Sequence, residues 1–552
     1  MTTDKAPETS SYSKVACIGS GLSAVALGAT LKNWYDFDDV KFFERHATSG
    51  GTWYINSYPG CACDVPSALY SYSFEPNPGW TKLMPSNKEI KEYHDGVIAK
   101  YKLREKMAFS TEVVRCVWNG EASCWIMYLQ DLKTGREYTH MCQILFSAAG
   151  QLAEPRPCDI PGYERFKGRI FHSARWDRSA DLKGKNVVVI GNGCTATQIV
   201  PSIIKEVNHL TQIIRSKHWI FPAPNFEYPA ALKWLFKWVP FTILLHRFHV
   251  FLMTENEFRL VPMTKAGARF REGRKKEVDK YMRETAPEKY HDLLIPDFEV
   301  GCKRRIFNCG YLEALHSENL TLTDSKPLEI TPTGLRLSSG EFIEADVIVL
   351  ATGFQTNQFL SGTEIVGQDG KSLEDHWSEY PGPEAYNCSV LSGFPNFFLL
   401  LGPNAATGHT SALIAAENSI NYALRVLAPV FQGTAKSIEL KPEAEKSYVQ
   451  KMQDALSKTV WNAGCQSWYY LNEHGWNSMS YPWSQSHYWY RSLFPVWSDW
   501  KVNNLKLVER KQYGTTLLMV LLAGANAVLL DRQFPQARVA VESTLKEYWM
   551  KI

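Results

Sequence analysis

The sequence predicts an α/β protein with two Rossmann-like dinucleotide-binding domains, a helical insertion and an aromatic-rich carboxy-terminal region. Three observations carry that prediction: two strand–glycine turn–helix–strand units starting near Val15 and Asn186, a small-residue strand exit at Ala351-Thr-Gly353, and 13 aromatic rings between Trp461 and Trp500. A chain of 552 residues, 45% apolar, has room for this plan, because one domain usually takes about 100 to 200 residues.

The first unit begins with Val15-Ala-Cys-Ile18, an apolar run that enters Gly19-Ser-Gly-Leu-Ser-Ala24 and continues into a helical pattern to about residue 33. A second strand is expected over 40–43 and ends at Glu44. Gly19 permits the tight turn, Gly21 lets a pyrophosphate approach the backbone, and the helix amino end supplies unpaired N–H groups and positive potential. Glu44, 25 residues beyond Gly19, can accept hydrogen bonds from an adenosine ribose, so the unit suits FAD or NAD.

The second unit repeats the pattern with Asn186-Val-Val-Val-Ile190, the turn Gly191-Asn192-Gly193-Cys-Thr195-Ala196, a helix carrying Gln198 to about residue 205, and a strand over 211–214. Its end differs. Arg215 and Ser216 stand where the first unit has its acid. A guanidinium pairs with a 2′-phosphate that a glutamate would repel, so this unit suits NADP.

A third strand, starting at Asp346 and leaving through Ala351-Thr-Gly353, reads as the exit from the second nucleotide domain, since small residues let backbone pass close to a cofactor. The expected organisation is an FAD domain from 11–150 and 355–435, and an NADP domain from 151–220 and 301–354. A helical insertion occupies 221–300, and a carboxy-terminal, substrate-side region 436–552. The Lys and Glu run from Arg269 to Tyr290 reads as a solvated helical face.

Composition removes other classes. Sixty basic against 57 acidic residues give a net charge of +3 and no basic block, which argues against a nucleic-acid partner. The polar amino end lacks a secretory core, so an intracellular, cytoplasmic setting is the default. The 12 Cys have no CxxC pair and read mostly as small core residues; His246 and His249 have no acidic partner at metal spacing, so no metal is expected. GxSxG and HExxH motifs are absent. Two apolar stretches, 234–253 and 513–530, offer peripheral membrane contact, the second being a helix of about 27 Å if formed.

The segment joining the two units narrows the reading. Phe166-Lys-Gly168-Arg-Ile-Phe-His172-Ser-Ala-Arg-Trp176-Asp177 resembles the type I Baeyer–Villiger monooxygenase fingerprint at every fixed position. The resemblance, which includes fungal FAD-binding monooxygenases, covers about residues 14–421. It implies FAD in the first domain and NADPH in the second. It further implies that Thr52 and Trp53 of Gly50-Gly-Thr-Trp-Tyr54, together with Tyr70, contact the flavin. Tyr58-Pro-Gly-Cys-Ala-Cys-Asp64 resembles the family loop that ends in an active-site aspartate, Asp64. In Gly301-Cys-Lys303-Arg304-Arg305 the catalytic arginine falls on Arg304, with Arg305 the alternative, and Lys303 joins Arg215 and Ser216 at the NADP phosphate. His172 and Trp176 resemble linker residues that transmit nicotinamide binding.

The implied activity is insertion of one oxygen atom from O2 beside a ketone carbonyl, through a flavin peroxide, to give an ester or lactone. A desolvated Arg304 suits the negative charge that develops, and Asp64 is its natural counter-ion. The aromatic tail points to a large apolar ketone, with Trp483 and Trp489 expected in a pocket wall or in ordinary core. The placement of the chain in secondary metabolism follows from the fungal resemblance. Heteroatom oxygenation or hydroxylation, and a non-catalytic flavoprotein that docks a partner, stay open as alternatives, as does the oligomeric state. Trp176-Asp177 disfavours the first of them.

Overall fold

The computed structural model describes residues 11–356, 359–360, 362–465 and 476–504. The segments 513–530 and Trp468-Tyr-Tyr470 lie outside them. Two sheets organise the chain. In the first, Ser11–Ile18 lies between Val40–Glu44 and Glu137–Ser147, parallel to both, with Val15 opposite Val40 and Ile144. Met107–Phe109 extends one edge, while Thr111–Asn119 and Cys124–Asp131 extend the other as an antiparallel meander. Two strands from far downstream, Glu364–Val366 and Phe397–Leu399, join this sheet. The chain therefore returns to its first sheet after leaving the second.

The second sheet is wholly parallel, in the order Leu320–Thr323, His209–Ile213, Asn186–Ile190, Val347–Leu350 and Arg169–His172. Val187, Val188 and Val189 are at most 1% exposed, so this strand is buried on both faces, which is why it reads as an unbroken β-branched run. The two chain crossings between the sheets pair with each other. Arg156 N–H donates to the Gly353 carbonyl at 3.0 Å, and Gln355 N–H to the Glu154 carbonyl at 2.9 Å.

The insertion is helical: Ala230–Trp238, Thr242–Asn256 and Lys265–Thr285. The last carries the expected solvated face, with Glu272–Lys276, Lys280–Glu284 and Asp279–Arg283 pairs one turn apart. Its other face was not expected: Arg271 is 2% exposed and donates to Glu299 and to the Leu260 and Pro262 carbonyls.

The carboxy-terminal region adds an antiparallel pair, Ala435–Leu440 with Trp500–Asn504, and a separate core. Tyr481 and Tyr488, both fully buried, stack at 4.7 Å within it, beside Val460, Trp461 and Met479. Trp489 is 46% exposed and does not form a pocket wall, because the Gln485–Leu493 helix turns residue 488 inward and residues 489 and 490 outward. Cys302 is bonded to Cys465, so these two Cys are not simple core fillers; of the other ten, seven are buried. Among the described residues, no helix is long and apolar enough to cross a membrane.

Candidate active site

The two glycine turns are built for close approach. Gly19 has φ +95°, and a Cβ there would lie 2.7 Å from the Ala148 carbonyl oxygen; Gly191 has φ +126°, and a Cβ would meet the Ala351 oxygen at 2.4 Å. Each is thus required twice, by conformation and by space. Gly21 and Gly193 cap the helices Leu22–Tyr35 and Cys194–Ile203 in extended conformation, leaving the helix amino ends open. Nothing lies within 4 Å of a Cβ built on Gly193, so room remains in front of that turn. Glu44 is 5% exposed and accepts from Ser20 N–H, Ser20 Oγ and His46 N–H. A carboxylate has about four acceptor positions, which leaves capacity for a ribose hydroxyl.

On the flavin side, Gly51, at φ +51°, leads into the single helical turn Thr52–Ile55. Trp53 Nε1–H donates to the Tyr70 hydroxyl at 2.9 Å, with the rings edge to face at 5.5 Å. Burial holds the Tyr70 hydroxyl well above the usual tyrosine range, so it stays neutral.

The decisive contact lies between the domains. Arg304 grips Asp64 with Nη2 2.8 and 2.6 Å from the two carboxylate oxygens and Nε 3.2 Å from one of them. Both charges act on Tyr70 and on Cys194, the first helical residue after Gly193, so this pair sits where the two nucleotide units face each other. Arg305 points elsewhere, with Nη1 2.7 Å from Glu257 Oε2. Of the two arginines, Arg304 is the one that joins Asp64. Glu257 also holds Arg274, and no local spacing signals this anchor.

The loop that carries Asp64 is pinned to the second domain. Tyr58 hydroxyl donates to Gln198 Oε1 at 2.9 Å, Gln198 Nε2 donates to the Ala62 carbonyl at 3.1 Å, and Thr195 also contacts Tyr58. Gln198, expected at the nucleotide, therefore has both polar ends engaged in this seam.

The expected phosphate site is strongly positive. Lys303 is pushed down by burial and by Arg215, and His218 is pushed down to about 4 by burial, Lys303 and Arg215. Asn192 Nδ2–H donates to the Ser216 carbonyl at 2.5 Å, tying the glycine turn to this cluster. A lysine and an arginine brought this close fit a bound dianion.

The fingerprint residues cluster at the interdomain crossing. His172 Nε2 lies 3.0 Å from the Gly353 carbonyl, and Nδ1 accepts from Ala174 N–H at 3.1 Å, which assigns the proton to Nε2. Burial lowers its pKa to about 4, so the ring is neutral and acts as a clasp on the exit strand. Gly168 is required because a Cβ would lie 2.3 Å from the Asp346 oxygen. Phe166 packs in the core of the second sheet, Trp176 meets Phe171 edge to face, and Asp177 caps Ser179 while pairing with Arg169.

A profile of the flavin-binding monooxygenase-like family matches residues 12–232. A Baeyer–Villiger monooxygenase of Pseudomonas aeruginosa is 34% identical over 87% of this chain and 90% of its own length. The chain belongs to the flavin-binding monooxygenases, in their Baeyer–Villiger group. The FAD-binding monooxygenase tazF of Aspergillus terreus is 33% identical over 83% of this chain and 82% of its own. In fold, this monooxygenase is similar to the NADP+-bound cyclohexanone monooxygenase from Rhodococcus sp. Phi1, with a TM-score of 0.78, 24% identity, and coverage of 90% of this chain and all of the other. An NADP-bound steroid monooxygenase gives 0.77 at 24% identity, over 89% of this chain and all of the other. The two Rossmann-like domains of the sequence reading are those of this monooxygenase fold.

Proposed function

We infer that the protein is an FAD- and NADPH-dependent Baeyer–Villiger monooxygenase, converting a ketone and O2 to an ester or lactone. The observation that carries the reading is the Arg304–Asp64 pair at the meeting of the two nucleotide units. The glycine cradle at Gly19 and Gly21 fits the FAD pyrophosphate, and the Arg215–Lys303 cluster fits the NADP 2′-phosphate. When bound, those cofactors supply the reducing electrons and activate oxygen.

The chain's own residues supply position and charge. Arg304 keeps its charge at any working pH, and with Nε and Nη2 turned to Asp64 it contributes positive charge beside the oxygen of the ketone as that oxygen becomes negative. Asp64 fixes the plane of the guanidinium, which at 37% exposure is half-buried and not desolvated as the sequence predicted. Trp53, held by Tyr70, closes the flavin side, and the Tyr58–Gln198 seam fixes the distance between the domains. The catalytic groups are Arg304 and Asp64. His172 and Trp176 position the crossing.

A large apolar ketone is the substrate class proposed from the ring-rich composition of residues 461–500. Peripheral membrane contact through 234–253 is supported by the exposure of Trp234, Trp238, Leu245 and Phe248. The activity is tested by incubating the holoenzyme with NADPH, oxygen-18 gas and a panel of cyclic, long-chain and polycyclic ketones. One labelled oxygen retained in an ester product is the expected result; flavin oxidation that yields only hydrogen peroxide with every ketone would overturn the reading.

A further inference from the structure

The helices Ala230–Trp238 and Thr242–Asn256 pack against each other as a hairpin on the insertion. One face is satisfied by the protein. Phe236, Ile243 and Val250 are buried, and Arg247 Nη1–H groups reach the Ala68 and Ser71 carbonyls at 2.5 and 2.8 Å. Val250 packs on Ala68 and Leu69, in the loop that runs from Asp64 to Tyr70. The hairpin therefore lies directly on the active-site loop.

Its outer face has no such partner among the described residues. Trp234 and Trp238, one turn apart, are 60% and 63% exposed; Leu245, Phe248, Leu252 and Met253 are 50–66% exposed along one side of the second helix. The neighbouring Lys265–Thr285 helix shows what an ordinary solvent face looks like in this protein, with three charged pairs one turn apart. A helix that is apolar all round is usually buried. A contiguous exposed apolar surface of this kind marks a binding surface.

Charge identifies what covers it. No acidic residue occurs between Glu227 and Glu255, while Lys233 and Lys237 flank Trp234 and Trp238. Lys237 Nζ lies 5.1 Å from the centre of the Trp238 ring. Tryptophan at the water boundary, lysines able to extend to phosphate, and leucine and phenylalanine facing outward form the pattern of a helix that lies in a lipid interface.

We propose that this hairpin docks the enzyme on an anionic lipid bilayer, holding the Asp64–Tyr70 loop next to the surface from which an apolar substrate partitions. The docking does not depend on the oxygenation chemistry and is measured separately from it. The full-length holoenzyme is mixed with phosphatidylcholine vesicles, with and without phosphatidylglycerol, and bound protein is separated by flotation. The proposal expects binding that is stronger on the anionic vesicles and is weakened at high salt. Lys233→Gln and Lys237→Gln should each weaken it about fivefold. A Trp234→Ser, Trp238→Ser, Leu245→Ser, Phe248→Ser variant should lose it by at least tenfold while NADPH still bleaches its flavin at the parent rate, which shows that the variant is folded. No binding to either vesicle would overturn the proposal. So would binding that survives in the fourfold variant, which assigns the contact to another segment of the chain. A concentration-dependent dimer, seen by light scattering and abolished in that variant without vesicle binding, would assign the face to a second copy and overturn it too.

Discussion

Arg304 and Asp64 are 240 positions apart in the chain, yet the guanidinium and the carboxylate meet through three contacts of 2.6 to 3.2 Å. One partner comes from the loop after the first nucleotide motif and the other from the segment after the insertion. Their pairing sets a positive charge where the two nucleotide units meet. Arg305, its immediate neighbour, is committed to Glu257 instead.

Replacing Arg304 with alanine removes the charge proposed to face the developing oxyanion. Arg304→Ala is expected to lower ester formation about 100- to 1,000-fold. Arg305→Ala, which breaks the Glu257 contact, should lower it far less. Product assay at saturating NADPH separates the two, and equal losses would place the catalytic charge differently.

Arg215 is expected to act on binding alone. Losing a charged contact to phosphate costs about 1.5 to 3 kcal/mol, so Arg215→Ala should raise the KM for NADPH roughly 10- to 150-fold with kcat nearly constant. The KM for NADH should barely change. Steady-state oxidation of both nucleotides checks this; a parallel loss with NADH would show that Arg215 supports the fold rather than the 2′-phosphate.

Gly19→Ala is expected to abolish flavin retention. The substitution meets the Ala148 carbonyl and occupies a left-handed conformation, costing more than about 1 kcal/mol by strain alone. The ratio of flavin to protein absorbance after purification measures it. Gly273→Ala, with no neighbour within 4 Å in the middle of an exposed helix, should retain flavin fully and serves as the control.

Acid should destabilise the protein before carboxylates titrate. Burial holds His94, His140, His172 and His218 at about 4, below the ordinary histidine value. Between about pH 6.5 and 4 the unfolded chain binds protons that the folded chain refuses, so the stability from these groups is complete above 6.5 and falls with pH through that window. His376 acts oppositely. Its pKa is raised to about 9; burial opposes that shift, but Glu384 and Glu445 outweigh it, and its contribution is full below 6.5 and fades as pH rises through 9. Tm measured from pH 8 to 4 should fall toward acid, and His94→Gln should reduce the slope by about one proton. An unchanged slope in that variant would refute the assignment to His94.

The sequence by itself determined the two nucleotide units, because strand, glycine turn, helix and terminal charge are local features whose spacing is set by covalent geometry. Val40–Glu44 and Asn186–Ile190 appear where hydrophobic runs placed them, and the fingerprint lies at the interdomain crossing. Only the tertiary structure shows that Arg304 pairs with Asp64 and Arg305 with Glu257, because adjacent residues in an irregular segment differ in partner, and those partners lie far off in the chain. Gln198 shows the same limit: its sequence position follows the glycine motif, whereas its side chain serves the seam with Tyr58. The aromatic tail was visible as composition, but the helical turn that buries Tyr488 and exposes Trp489 belongs to packing. Cys302 and Cys465 were brought together across 163 residues by that same core. Sequence spacing encodes contacts within one supersecondary unit; contacts between units depend on how their buried faces pack.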